Sequence, residues 1–310
     1  MRRQSPEKLL AMKNITAIGE IIFDVYPGYK KPGGAPLNFI YHIQKLTGNS
    51  KLISRVGNDI QGKEAIEFLK LNSFPLSYIQ IDNIHETGTA LANLDKNKIP
   101  HWEIPSERAY DFIDIPTDRD KIIENSSCFY FGSLAQRMEK SRTTIQSFFG
   151  REIKYFFDIN IRQNYYTKEI LEVSLNNTNV LKVNEEEIYL LHNMFLPGKF
   201  ELNESTSAIM DKFNIDLTAL TLGDKGSWLF NNKESSFYNT TIDNIVDTTG
   251  AGDAYAAMFC LGYLNNIELN QINKLASEFA AEIIKLPGAI PNDDNIYTKF
   301  RPPFPISIKS

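Results

Sequence analysis

The side chains best suited to chemistry lie in one short string, Asp247-Thr248-Thr249-Gly250-Ala251-Gly252-Asp253. The apolar residues just before it, ending at Val246, are expected to form a short strand. Ala254 through Leu264 is an apolar stretch in which Ala254, Ala256 and Ala257 are small, so a closely packed helix is expected to open at Asp253. Gly250 and Gly252 permit a tight turn with close backbone approach. A helix N-terminus presents unpaired N–H groups and partial positive charge. The N–H groups of Gly250, Ala251 and Gly252 would then form an anion hole, with the Asp253 carboxylate beside it. Such a carboxylate is badly placed for holding an anion at rest. It suits a hydroxyl that must lose its proton while attacking phosphorus. The plain alternative is an aspartate that caps a helix.

Short apolar runs alternate with helix-like stretches along most of the chain. Ile15–Gly19, Lys51–Val56, Cys128–Phe131, Lys154–Asp158, Asn179–Val183 and Leu217–Leu222 read as strands. Leu37–Leu46 places Phe39, Ile43 and Leu46 at helical spacing and stops near Gly48; Ala65–Leu71 is also helical. This alternation predicts the α/β class: a doubly wound, mostly parallel sheet with helices on both faces. The rhythm breaks between Tyr78 and Ile104, where Tyr78–Ile81, Thr89–Leu94 and His101–Ile104 follow one another as strands, with turn chemistry at Asp95–Lys98. Together with part of Ile21–Tyr29 they predict a small β-strand lid. The expected layout is a single domain over residues 14–310, lid strands from about 21–29 and 78–104, and a disordered extension at 1–13.

The 310 residues are 42% hydrophobic, enough for a sizeable core without covalent staples. A net charge of −5 gives no basic footprint, which argues against a nucleic-acid partner. Cys128 and Cys260 are the only cysteines and form no CxxC, so neither a disulfide framework nor a thiolate zinc site is expected, and a reducing cytoplasm fits. No apolar run reaches the ~18 residues of a membrane span, and polar Met1–Met12 lacks the core of a secretory signal. Gly57–Lys63 reads GxxxxGK, but Glu64 follows where a P-loop needs Ser or Thr for Mg²⁺, so a Walker A site is rejected. The four histidines have no ligand spacing.

The string at 247–253 closely resembles the C-terminal D-T-x-G-A-G-D signature of the PfkB (ribokinase-like) carbohydrate kinase family. Lys31-Pro-Gly-Gly-Ala-Pro-Leu-Asn38 resembles that family's G-G-x-x-x-N signature, and Gly19-Glu-Ile-Ile-Phe-Asp24 its first strand with a substrate-binding aspartate. Arg55–Gly62, Asp158-Ile-Asn-Ile-Arg162, Asn184-Glu-Glu-Glu187 and Thr221-Leu-Gly-Asp-Lys-Gly226 match further family segments, so the resemblance runs from Ile15 to Pro291. It implies an ATP-dependent sugar kinase with Asp253 as general base. Asp24, Gly33, Gly34, Asn38 and Arg162 would bind substrate, the arginine through its forked donors to a phosphate. Asn184, Thr221, Gly223 and Gly226 would bind ATP. Glu187, with Asn184, would organise Mg²⁺ through water, and Asp247 and Thr249 would contact a monovalent cation, usually K⁺. Lid strands pair between subunits in related kinases, so a homodimer stays open.

Thr87-Gly-Thr-Ala, Pro100-His-Trp-Glu-Ile with Ala109-Tyr-Asp111, and Gly288-Ala-Ile-Pro291 are similar to bacterial fructokinases, although Tyr110 stands where a Trp is usual and Leu286 where a more polar residue is expected. Fructose is therefore the expected acceptor. Ribose, 2-keto-3-deoxygluconate and adenosine are the alternatives, and a phosphosugar is disfavoured by the lack of an extra basic cluster. A non-catalytic sugar-binding regulator would be expected to lose Asp253 or its turn first. A Rossmann dehydrogenase would need GxGxxG after the first strand, where this chain has Gly19-Glu-Ile-Ile.

Overall fold

The computed structural model describes residues 13–94, 100–240, 243–292 and 294–300, with the backbone alone at 93, 94, 100 and 101. The extension expected at 1–13, except Lys13, and the turn expected at Asp95–Lys98 lie outside the described residues. Strands buried on both faces read as unbroken apolar runs, and such runs build the centre of the molecule. A nine-stranded sheet contains β1 (Asn14–Ile18), β4 (Ser50–Gly57), β5 (Ile79–Asp82), β8 (Ser126–Gly132), β9 (Lys154–Asp158), β10 (Val180–Asn184) and β11 (Leu217–Thr221), with β12 (Ser227–Asn231) and β13 (Ser235–Tyr238) at one edge. Its order is β13-β12-β11-β10-β9-β8-β1-β4-β5. Neighbours from β11 to β5 pair in parallel, and the β11–β12 and β12–β13 pairs are antiparallel.

Successive residues of a strand point to opposite faces, so β8 and β9 feed two cores. Cys128, Tyr130 and Phe156 pack with Phe39 and Phe259 on one side; Phe129, Phe131 and Phe157 pack with Leu171, Ile188 and Ile209 on the other. The first core is closed by helices Ala35–Thr47, Ala251–Leu264 and Leu269–Ile283, the second by helices that include Lys168–Leu175, Glu185–Phe195 and Leu202–Phe213. Cys128 and Cys260, 132 residues apart, meet in the first core with sulfurs 3.8 Å apart as free, buried thiols.

A second sheet holds β2 (Ile22–Tyr26), β3 (Tyr29–Gly33), β6 (Gly88–Leu94) and β7 (Pro100–Glu103) in the order β3-β2-β6-β7, parallel at β2–β6 and antiparallel at its two outer pairs. This is the lid, with one change from expectation. β5, expected to be part of it, pairs with β4 from Ser54↔Ile79 to Gly57↔Asp82 and is the edge of the large sheet. The base of the lid is pinned at Ile104, whose N–H donates to Gln163 Oε1 (3.1 Å) and whose carbonyl accepts from the Tyr165 hydroxyl (2.8 Å). Among the described residues no helix is long and apolar enough to cross a membrane.

Strand order reverses at β1: the chain runs outward from it through β4 on one side and, later, from β8 on the other. In open α/β sheets ligands bind at the carboxyl ends of strands beside such a reversal. Glu20 follows β1, Asn160 and Arg162 follow β9, and Lys182 stands at the middle of β10.

Candidate active site

The strand expected to end at Val246 is absent. Ile245 and Val246 are 55% and 62% exposed, and the N–H groups of Val246 and Asp247 both donate to one carbonyl, that of Ile284, at 2.9 and 3.1 Å. Two apolar residues with no neighbouring strand edge form a loop. That loop leads to Gly250, the N-cap of helix Ala251–Leu264, at φ +76. Side chains rarely adopt this left-handed backbone, and a Cβ there would overlap Ala289. Asp253 stands at the third helical position, in the first turn.

Asp253 has a specific partner. Its Oδ2 accepts from Nδ2 of Asn38 at 2.8 Å. Asn38 is buried in the first turn of helix Ala35–Thr47, whose N-cap is Gly34 at φ +109; a Cβ on Gly34 would stand 2.6 Å from the Glu20 carbonyl. Burial pushes the Asp253 carboxyl up to about 7, with nearby Asp158 adding to the rise, while the Asn38 hydrogen bond, Lys182 and Arg162 pull it down. A carboxyl poised near neutrality is suited to accept a proton at working pH.

Two cavities meet at this turn. One, of about 380 Å³, is lined by Glu20, Asp24, Gly34, Asn38, Arg162, Lys182, Thr249, Gly250 and Asp253, with lid residues Ala90 and Trp102 above. The other, of about 320 Å³, runs along Thr221, Gly223, Gly226, Tyr255, Ser277 and Ala281. Thr248 and Gly252 line both. The first is polar and carboxylate-rich. The second combines a backbone-lined end with an apolar wall, as a nucleotide with its phosphates and base would require. The turn 248–252 is the place where groups held in the two cavities could exchange a phosphoryl group.

Of the expected substrate residues, Asp24, Gly34, Asn38 and Arg162 line the first cavity. Gly33 is not on its lining; it makes room for Asp24, whose Oδ2 would stand 2.8 Å from a Cβ at that position. Burial raises the Asp24 carboxyl to about 6 against the pull of Arg162. Thr221, Gly223 and Gly226 line the second cavity.

Asn184 and Glu187 line neither. They form a capping box: Asn184 Oδ1 accepts from the Glu187 N–H (2.8 Å), and Glu187 Oε2 from the Asn184 N–H (2.9 Å). The remaining Glu187 oxygen accepts from the N–H of Ile161 at 2.9 Å. Each carboxylate oxygen is thus engaged by one backbone N–H and keeps a second lone pair, which can accept from a metal-bound water. Asp247 is similarly a brace, its two oxygens accepting from the N–H groups of Thr249 and Gly288, both at 2.9 Å. Each keeps one lone pair for a cation. Among the described residues no three His, Cys, Asp or Glu side chains cluster as a metal site.

Two buried charged residues of the first cavity escaped the motif reading. Lys182 lies inside the apolar strand β10, with Nζ 3.0 and 3.1 Å from the two Asp158 oxygens. A Cβ on Gly252 would stand 3.2 Å from that Nζ, so the ammonium lies directly under the turn. A lysine in the run Val180-Leu-Lys-Val183 was the available signal. Glu20 is the other, only 3% exposed, its carboxyl raised to about 7 chiefly by burial.

The family model for pfkB family carbohydrate kinases matches residues 12–295. An uncharacterized sugar kinase of Pyrococcus horikoshii, PH1459, is 30% identical over 301 residues, covering 89% of this chain and 91% of that protein. Its structure in complex with ATP covers 92% of this chain and 99% of that one, with a TM-score of 0.76 and 28% identity. The ATP-dependent 6-phosphofructokinase of Thermoanaerobacterium thermosaccharolyticum is 25% identical over 311 residues (93% of this chain, 94% of that protein). The fructokinase of Escherichia coli is 27% identical over 304 residues (89% and 94%). The chain carrying this Asp253 turn, with a cavity on each side of it, belongs to the pfkB family of carbohydrate kinases.

Proposed function

We propose that the protein transfers the γ-phosphate of ATP to a primary hydroxyl of a free hexose, with fructose the preferred acceptor. The observation that carries this reading is the position of Asp253: buried at the junction of two cavities, next to the Gly250-Ala251-Gly252 turn, with its carboxyl near neutrality. The sugar occupies the carboxylate-rich cavity, where Asp24 and Asn38 accept and donate to hydroxyls. ATP occupies the cavity along Thr221, Gly223 and Gly226. Asp253 takes the proton of the attacking hydroxyl, and the N–H groups of the turn hold the charge on the transferring phosphoryl group. Mg²⁺ on the ATP phosphates would offset their charge, with Glu187 accepting from one of its waters. K⁺ would sit by Asp247 and Thr249 and steady the turn.

One consideration supports a free sugar. Glu20, Asp24 and Asp253 set three carboxyl groups on the acceptor cavity, against Arg162 and a Lys182 already paired with Asp158. A second phosphate on the acceptor would meet that negative field. Fructose itself is favoured by the similarity to the E. coli fructokinase and by the lid residue Trp102 over the cavity.

The test is ADP release with ATP, Mg²⁺ and K⁺ across fructose, fructose 6-phosphate, ribose, 2-keto-3-deoxygluconate and adenosine. Fructose should give the highest kcat/KM. A higher value for any other acceptor overturns fructose, and no turnover with any of them overturns the kinase reading.

A further inference from the structure

Two buried oxygens on the wall of the acceptor cavity have no hydrogen-bond partner among the described residues: Oε2 of Glu20 and Oδ1 of Asn38. Their residues are 3% and 4% exposed. The other end of the Asn38 amide is engaged by Asp253. Folded proteins seldom leave buried acceptors unpaired, and two on one cavity wall indicate donors that arrive from outside the chain. Glu20 follows β1 one residue on, after Gly19, and its backbone packs against Gly34 at the start of the helix that carries Asn38. The position is therefore fixed by the same turn that fixes Asn38.

We infer that Glu20 is a specificity residue of this site: its Oε2 accepts a hydrogen bond from a sugar hydroxyl that is not phosphorylated, while Asn38 Oδ1 accepts from a second. This rests on the sugar-kinase reading and sharpens it. The acceptor must be a polyol with hydroxyls spaced to reach both oxygens, and loss of the hydroxyl that meets Glu20 leaves a buried acceptor unpaired. The Tyr110 hydroxyl, also buried and without a partner among the described residues, is the alternative partner to be tested within the chain.

The experiment uses the full chain, the best acceptor from the panel and its monodeoxy analogues. Wild type, Glu20→Gln and Tyr110→Phe are compared by steady-state kinetics, and sugar binding is measured by calorimetry. Wild type should discriminate against one monodeoxy isomer by roughly 10–100-fold in KM. Glu20→Gln should raise KM for the parent sugar by a similar factor with KM for ATP unchanged, and should no longer penalise that isomer. Tyr110→Phe should leave sugar KM in place. Equal treatment of all monodeoxy isomers by wild type overturns the contact, and this arm needs no variant to fold. Turnover by wild type with an unmoved sugar KM in Glu20→Gln, or a Tyr110→Phe variant that reproduces Glu20→Gln, also overturns it. Absence of turnover or binding in wild type instead sinks the sugar-site reading beneath it.

Discussion

Asn38 and Asp253 lie 215 residues apart in sequence and are joined by a 2.8 Å hydrogen bond from the asparagine amide to the aspartate carboxylate. The bond couples the first turn of helix Ala35–Thr47, on the acceptor side, to the first turn of helix Ala251–Leu264, on the phosphate side. The bond engages Oδ2 and leaves Oδ1 without a partner among the described residues, available for a substrate proton. Asp253→Asn keeps the shape and removes the proton acceptor. The expected result is a fall in kcat of ~10²–10⁴-fold with little change in sugar or ATP affinity. Retention of most of the kcat would reduce Asp253 to a helix cap.

The raised carboxyl sets a pH dependence with a definite sign. With Asp253 ionising at about 7, beside Glu20 at about 7 and Asp24 at about 6 on the same cavity, kcat/KM should rise with pH through that range as these carboxyls ionise together and level off above it. Stability moves the other way. The folded state keeps the Asp253 proton up to about pH 7, the unfolded chain only to about 3.8, so ionisation erodes stability across that interval. Each pKa unit corresponds to about 1.4 kcal/mol. Asp253→Asn should therefore gain stability relative to wild type as pH rises from about 4 to about 7, with a constant margin above. Urea midpoints at pH 5, 6, 7 and 8 check this; a margin that does not grow with pH contradicts it.

Much of this was legible because buried parallel strands announce themselves locally. β1, β4, β8, β9, β10 and β11 lie within a residue or two of the apolar runs that predicted them. β5 was not separable from lid strands, because Ile79–Asp82 has the same short pattern and only its partner β4 decides the sheet it joins. Ile245 and Val246 misled in the opposite direction, since apolar type says nothing about whether a strand edge is at hand. Lys182 belongs to no string that was matched, and Glu20 lies inside the matched string Gly19–Asp24 without being singled out by it. Their importance comes from β10 and β1 ending beside the turn at 250–252, a fact of topology.

Glu187→Gln should act first as a structural lesion. A carboxylate accepts from both Asn184 and Ile161 N–H groups, whereas an amide has one acceptor oxygen, so one of these bonds is lost at about 1–3 kcal/mol. The Ile161 bond also steadies the segment bearing Arg162. The variant should melt earlier at every Mg²⁺ concentration and, in addition, need more Mg²⁺ for half-maximal rate. An unchanged Mg²⁺ titration would leave Glu187 as a brace alone.

Lys182→Met isolates a buried charge. It strands Asp158, which among the described residues retains only the Tyr130 hydroxyl at 3.0 Å, and breaking a buried pair this way typically destabilises by ~3–5 kcal/mol. The double variant Lys182→Met/Asp158→Asn removes both charges and should recover most of that stability. It should not recover kcat, because the ammonium under Gly252 would still be missing from the place where phosphoryl charge passes. Recovery of both stability and kcat would make the pair a core element with no part in transfer.

The lid should close over bound sugar, because transfer to a hydroxyl must exclude water that would otherwise take the phosphate. Ile22, Phe23 and Ala90 of its strands are buried in the two main cores, and its base at Ile104 is held by Gln163 and Tyr165. Amide exchange should therefore slow on adding sugar in β2, β3, β6 and the Trp102 end of β7, with the smallest change at Ile104, already bonded. β5 should not respond, since it is ordered by pairing with β4 in the large sheet. That contrast separates closure from general stabilisation by ligand. Equal slowing in β5 and the lid strands would mean global tightening, and no slowing in the lid would mean that the cavity stays open during transfer.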